Sequence, residues 1–457
     1  MQAPAPEAFP AGEIIAKVAC AADPEETYAL YLPPGVDRSK PRPILYLLDA
    51  RRRGGLGVER FREAADAYGW ILASSNNSES DGPFAPNVRA MRAMWTDTHR
   101  RFAIDPRRAY VTGLSGGARA ACLLAQTAEP NQIAGVIGCA AGFPDNLPPS
   151  KDVRFVYFGT VGNRDFNYRE MRQLEPTLEA LGIRHRLAVF DGPHDWPTPA
   201  VAIRAVEWME LEAMRSGLRE RDEALLARWL ARASEEAGAL EAAGQKGEAL
   251  VRYREAAQDF GGLTDTAGLT AAVARLEKDP EAARQIERQA RLEQEEDRTF
   301  HEVSQKLMAD LQSEDPIPAQ RVAQDIRLPA LQRTAQSGAT DAERQSAKRV
   351  LAALSVQTSF YLPRQYLEHR DSRRAQLCVA IAAEVNPQRS WAAWYNFACL
   401  QAQAGDKKAA LASLRTAVDR GFHDVALVER DPDLDTLREQ EGYRKLVDEL
   451  KASASAH

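Results

Sequence analysis

The hydrophobic pattern changes period once along the chain, near Arg215, and that change restricts the fold more than any other feature. Before it, short β-like runs alternate with helical stretches. "TYALYL" (27–32), "PILYLL" (43–48), "WILAS" (70–74), "AYVTG" (109–113), "AGVIG" (134–138), "RFVYFG" (154–159) and "RLAVF" (186–190) read as strands. Helical patterns lie near 58–67, 87–101, 116–127, 168–181 and 199–215. Strands that are apolar along their whole length must be covered on both faces. The alternation therefore predicts an α/β fold around a mostly parallel sheet. No helical pattern separates the first two runs, which predicts an antiparallel pair at the sheet edge. After Arg215 the β-like runs stop, and Ala, Glu, Arg, Gln and Leu recur with helical periodicity. With 457 residues the chain exceeds one ordinary core. Two domains are expected, 1–216 and an all-helical 217–457.

The helical half repeats itself. "AGALEAAGQKGEALVRYREAA" carries Ala237, Gly244, Ala249, Leu250, Tyr253 and Ala256. The same kinds of residue return in register as Ala398, Gly405, Ala410, Leu411, Leu414 and Ala417. A partial copy holds Ala375, Val379, Ala382 and Pro387. Small residues at these spacings let two antiparallel helices approach closely, with the glycine turning the chain between them. The pattern resembles the tetratricopeptide repeat, whose period is ~34 residues. It is clearest over 364–420, weaker over 222–260 and weakest between; a plain helical bundle is the alternative. The resemblance implies a protein partner for this half.

Composition excludes several classes. The net charge of −6 gives no basic footprint, so no nucleic-acid partner is expected. No apolar run approaches the ~18–20 residues of a membrane span. The start, "MQAPAPEAFPAGEI", lacks the apolar core of a signal peptide. It resembles the mature start of an exported protein with an initiator Met, so a periplasmic or secreted location is expected and a cytoplasmic one is the alternative. The five cysteines show no zinc-type spacing, and no metal is expected. Cys378 and Cys399 fall in helical apolar patterns and read as buried hydrophobes. Cys20 and Cys139 are candidates to pair in an oxidising compartment.

Chemistry concentrates in "YVTGLSGGARAA" (110–121). A G-x-S-x-G pentapeptide is a weak signal by itself. Here a β-branched run precedes it and a strong helix former follows. That is the strand–turn–helix context in which a serine projects from a sheet edge as a nucleophile. The alternative for Ser115 is a structural turn serine. A nucleophilic serine needs a base. His301, His369, His423 and His457 lie in the helical half or its tail. His99 sits in an arginine-rich helical stretch and is expected on a solvated face. His185 opens a strand. His194 lies in "FDGPHDWP", a loop directly after the last strand, where a base can reach the serine. The carboxylate that orients it should fall between the two in the chain. Asp165, in "TVGNRDFNY", meets this condition; Asp191 and Asp195 are too close to His194 in sequence. For the oxyanion hole, one N–H is expected from Gly116 and the other from the loop after "PILYLL". Arg51 is the first choice there and Ala50 the second.

These motifs, with "YALYLPPGV", "SSNNSESDGPF" and "RFAIDPRRAY", make residues 12–215 resemble the α/β-hydrolase superfamily. The nearest branch is that of polyhydroxybutyrate depolymerases and feruloyl esterases. The resemblance implies serine-ester hydrolysis of small or polymeric esters, no cofactor, the set Ser115, Asp165 and His194, and a place for Trp196 lining the site. The chain departs from the branch after the first parallel strand. Many relatives have His-Gly where Asp49-Ala50 stands here, which puts the second oxyanion donor in question. Arg51, Arg52 and Arg53 are expected near the mouth, as a clamp for an anionic substrate or as a solvated loop. "SSNNSESDG" (74–82) is expected on the same side, as polar contacts or as a turn-rich loop. The rival from another class is a binding protein in which the repeats recognise a partner and the first half is a scaffold.

Overall fold

In the computed structural model, which describes residues 9–454 except 36, 38, 81, 82 and 316, eight strands form one sheet. They are β1 (Ile14–Cys20), β2 (Asp23–Tyr31), β3 (Arg42–Leu48), β4 (Ile71–Ser75), β5 (Ile104–Leu114), β6 (Gly135–Cys139), β7 (Val156–Gly162) and β8 (His185–Phe190). Their order is β1-β2-β4-β3-β5-β6-β7-β8. The pairs β1–β2 and β2–β4 are antiparallel and the others are parallel. Helices α1 (Gly54–Tyr68), α2 (Ala85–Arg101), α3 (Gly116–Thr127), α4 (Tyr168–Ala180) and α5 (Pro199–Arg215) connect or follow the strands. This is the α/β-hydrolase arrangement.

Alternation along the strands divides the core. Ile44, Tyr46 and Leu48 of β3 join one face, with Met94 of α2, Cys122 of α3 and Met171 of α4. Leu45 and Leu47 join the other, with Phe61 of α1 and Met209 of α5.

The expected antiparallel edge pair is not the one observed. β2 pairs with β1 and β4, whereas β3 lies inside the sheet between β4 and β5. β3 is apolar on both faces and needs cover on both. The edge belongs to β1, "IIAKVAC", an apolar run that is not among the strands expected from the sequence and that leaves Ala16, Lys17 and Ala19 exposed.

Cys20 and Cys139 do not pair; all five cysteines are free and buried. Cys20 ends β1 and Cys139 ends β6, with four strands between them. At ~4.8 Å per strand this separation is far beyond disulfide reach.

Residues divide into two compact units, 1–290 and 291–457. The first therefore extends past the end of the β-runs to include α6 (Glu223–Ala242), α7 (Lys246–Phe260) and α8 (Ala267–Leu276), and it ends within α9 (Pro280–Gln312). Three buried glutamates of α5 hold this arrangement. Glu207 accepts from Tyr68 and Arg232, Glu210 from Trp70, Arg108 and Arg219, and Glu212 from Arg184 and Arg215. Asp259 of α7 accepts from Arg186 at 2.6 Å and from the Trp208 indole at 3.0 Å. Leu211 and Met214 of α5 share an apolar cluster with Leu226, Trp229, Leu250 and Phe260.

The second unit is helical among its described residues. It contains α10 (Ala319–Asp325), α11 (Leu328–Ser337), α12 (Asp341–Val356), α13 (Leu362–Glu368), α14 (Ser372–Val385), α15 (Ser390–Gln403), α16 (Lys407–Asp419), α17 (Val425–Arg430) and α18 (Glu441–Ala454). A π-turn at Gln357–Tyr361 joins α12 to α13.

The repeat residues of each unit form a helical hairpin. Gly244 turns α6 into α7 at φ +79°, and Gly405 turns α15 into α16 at φ +83°. Both are conformations that glycine adopts at little cost. Ala237 and Ala249 are buried between the first pair of helices, and Ala398 and Ala410 between the second. No helix among the described residues is long and apolar enough to cross a membrane.

Candidate active site

Ser115 occupies the one-residue turn between β5 and α3, at φ 56° and ψ −119°. This is a conformation that an L-residue adopts only under constraint. The constraint comes from the packing of both flanking elements. The Ser115 N–H donates to Cys139 O of the neighbouring strand at 2.8 Å, and α3 begins at Gly116. A side chain at Gly113 would overlap the backbone of Gly117, and one at Gly117 would overlap the Leu48 carbonyl oxygen. One at Gly116 would overlap Ser80 Cβ. The turn is therefore tight on three sides, and glycine stands at each of them.

β7 and β8 end beside each other, with Gly162 opposite Phe190. Their loops are joined by backbone bonds from Asn163 N to Phe190 O (2.8 Å) and from Arg164 N to Gly192 O (3.0 Å). This closeness brings His194 over Asp165. His194 Nδ1 lies 2.8 Å from Asp165 Oδ1, which also accepts the Asn167 N–H at 2.7 Å. Asp165 is fully buried, its Oδ2 has no hydrogen-bond partner among the described residues, and His194 is 22% exposed. A carboxylate can only accept, so Nδ1 carries a proton and the neutral ring keeps its lone pair on Nε2. Phe166 stacks on the imidazole with centroids 4.0 Å apart. Beyond the loop, Thr198 caps α5 and Pro199 occupies its first turn, which ends the loop sharply. Asp191 is exposed and paired with Arg164, and Asp195 lies 3.5 Å from Arg60.

Ser115, Asp165 and His194 thus stand on loops at the carboxyl ends of β5, β7 and β8, along one edge of the sheet. No hydrogen bond joins Ser115 Oγ to His194 in this structure.

The loop after β3 departs from expectation. The Arg51 N–H is not free for an oxyanion, because it donates to Asp49 Oδ1 at 2.8 Å. The Ala50 N–H takes no hydrogen bond among the described residues. It lies 3.6 Å from the point where a Gly117 side chain would begin, beside the turn that carries Ser115. Trp196 is also placed differently from what the resemblance implies. Its side chain is 2% exposed, packs edge-on against Phe61 and donates its indole N–H to Asp49 Oδ2 at 3.0 Å.

Two of the three arginines are neutralised, Arg52 by Glu79 and Arg53 by Asp49, which leaves Arg51 as the exposed cation without an ion pair among the described residues. Of the stretch 74–82, residues 81 and 82 lie outside the described residues. Ser75, Asn76, Asn77 and Ser78 are bound to neighbouring backbone or side chains, so they act as loop structure. His99 is not on a solvated face. It stacks on Trp95 with centroids 4.2 Å apart, and burial lowers its pKa below the ordinary histidine value. His185 bonds the Ile183 carbonyl oxygen.

Asp49 was named in this loop from the sequence, but its inward-turned, fully buried side chain was not anticipated. An Asp bonding the N–H two residues on is an ordinary turn signal, and "DAR" carries it.

In the second unit, Cys399, Asp431 and Asp433 present ligand-type atoms within 4.8 Å of one another. Asp431 already accepts the Tyr395 hydroxyl and the Asp433 N–H, and Asp433 accepts from Gln403.

No protein-family model matches the chain, and no curated protein matches it. Several solved structures are similar to part of it. An S-formylglutathione hydrolase from Staphylococcus aureus shares 15% identity over 40% of this chain and 90% of its own, with a TM-score of 0.32. A dienelactone hydrolase from Anabaena variabilis shares 18% over 43% of this chain and 97% of its own, with a TM-score of 0.34. A ferulic acid esterase shares 16% over 43% of this chain and 95% of its own, with a TM-score of 0.33.

Proposed function

We propose that the sheet-containing unit is a serine hydrolase of carboxylic esters, with Ser115 as nucleophile, His194 as general base and Asp165 as its orienting carboxylate. One observation carries this reading. A serine held at φ 56° on a glycine-walled turn shares a sheet edge with His194 and the buried Asp165 to which it is bonded. A structural turn serine has no use for that strain, and a turn histidine has no use for a fully buried carboxylate on Nδ1.

Ser115 Oγ attacks the ester carbonyl carbon while His194 Nε2 takes its proton. Asp165 stabilises the imidazolium that forms. The carbonyl oxygen becomes an oxyanion and accepts from the N–H groups of Gly116 and Ala50. The tetrahedral intermediate expels the alcohol, which leaves with the proton from His194. Water, deprotonated by His194, then cleaves the acyl-enzyme and restores Ser115. The Ser115–His194 hydrogen bond forms when substrate is bound, as such bonds commonly tighten only in the complex. Thioesters and amides fit the same chemistry.

The hairpins resemble tetratricopeptide units, and we assign the helical part a protein partner on that ground. Labelling of the purified protein with a fluorophosphonate tests the enzymatic reading. Ser115 should become covalently modified, and Ser115→Ala should lower ester turnover by on the order of 10⁴–10⁶-fold. An inert wild-type protein would favour the scaffold reading.

A further inference from the structure

Peptide planarity links the orientation of the Ala50 N–H to that of the Asp49 carbonyl, since both belong to one rigid unit and point in opposite directions. The Asp49 carbonyl oxygen accepts the Ser78 hydroxyl at 3.0 Å, on the side away from the Ala50 N–H. The next carbonyl, Ala50 O, accepts the Ser80 N–H at 3.0 Å. The Asp49 side chain completes the arrangement. Its carboxylate is fully buried and takes the Arg51 N–H (2.8 Å), the Arg53 guanidinium (3.0 and 3.1 Å) and the Trp196 indole N–H (3.0 Å). Trp196 is two residues beyond His194. One carboxylate therefore fastens the loop that offers Ala50 to the loop that offers His194.

We propose that Asp49 is a positioning residue that sets the oxyanion donor and the base in register with each other through Trp196; the proposal rests on the esterase reading above. It touches neither substrate nor the reacting atoms. Its chemistry explains why an acid stands there. Five N–H groups converge on it, those above and the Arg53 backbone N–H at 3.3 Å, and a carboxylate, with two acceptor oxygens and no donor, accepts from all of them. In Asp49→Asn the amide NH2 would face the Trp196 and Arg53 donors, and the link between the loops would open.

The test compares Asp49→Asn, Trp196→Phe and the double variant in the full chain. It measures p-nitrophenyl acetate turnover, affinity for an aryl trifluoromethyl ketone, and melting temperature. Ser115 Oγ adds to the ketone carbon, its proton passes to His194, and the ketone oxygen becomes the oxyanion. Affinity for the ketone thus reports the assembled site. Asp49→Asn is expected to lower kcat roughly 10²-fold, the scale of a displacement of about 1 Å, while KM changes less than about threefold. Ketone affinity should fall by the same factor as kcat/KM. Trp196→Phe should act in the same direction, and the double variant should be no worse than Asp49→Asn, because both changes open one link. Unchanged kcat and ketone affinity in a folded Asp49→Asn protein, with Ser115→Ala inactive, would overturn the proposal and leave the esterase reading standing. If Asp49→Asn does not fold, unchanged values in Trp196→Phe overturn it. Activity retained in Ser115→Ala would overturn the esterase reading itself.

Discussion

Ending the chain at residue 216, where the β-runs stop, should destabilise the sheet-containing unit, whereas ending it at 290 should not. The cut at 216 removes α6, α7 and α8 from the side of α5 that they cover. Leu211 and Met214, now 5% and 3% exposed, lose the partners of their apolar cluster. Tyr68 loses the edge of Trp229, 5.7 Å away. Burying a side chain of the Leu or Met class contributes about 1.5–3 kcal/mol, so these two alone amount to about 3–6 kcal/mol. The ion pairs count for less. Arg186 loses Asp259, Glu207 loses Arg232 and Glu210 loses Arg219, but the cut also opens these sites to water, which replaces the lost partners. A loss of about 4 kcal/mol is a large share of the 5–15 kcal/mol typical of a domain. At ~2–4 °C per kcal/mol it lowers the melting temperature by roughly 8–16 °C. Thermal unfolding of 1–216 and 1–290 measures the difference directly. Equal melting temperatures would refute the docking argument. Ester turnover by a folded 1–216 fragment would further show that α6–α8 stabilise the unit without shaping its site.

Asp165→Asn should cost roughly 10²–10⁴-fold in kcat by leaving His194 Nδ1 without a carboxylate, while Asp191→Asn, exposed and paired with Arg164, should change little; comparison of their kcat values checks the assignment. Gly117→Ala should abolish activity or folding, because its methyl group would overlap the Leu48 carbonyl oxygen, and circular dichroism with fluorophosphonate labelling separates the two outcomes. In the second unit, Glu296→Ala removes the carboxylate that pairs with Arg349, at a site where the two side chains are 3% and 12% exposed, and should lower the denaturant midpoint of that unit. Burial pushes the Cys139 thiol up to about 11 and those of Cys20 and Cys378 up to about 12. The native protein should therefore resist a thiol-specific disulfide reagent at pH 8, and all five cysteines should react once it is denatured.

The alternation of strand and helix, the change at Arg215 and the glycine turns of the helical repeats were all legible in the sequence. Each depends on residues within a few positions of one another, where periodicity and backbone preference act. The placement of Ser115, Asp165 and His194 along one sheet edge was legible for a related reason, since each stands just after an apolar strand and a parallel sheet brings such positions together. Three matters were decided only in the folded chain. The place of β3 inside the sheet followed from which strands it had to lie between, and β1, with its exposed Lys17, took the edge. That the Arg51 N–H is taken depended on the Asp49 side chain, two residues earlier, turning inward, which only burial makes worthwhile. The Trp196 indole donates to Asp49, 147 residues earlier, and no local pattern records a partner at that distance. A fully buried carboxylate requires hydrogen-bond donors wherever the fold can bring them, and only the packed structure shows which donors those are.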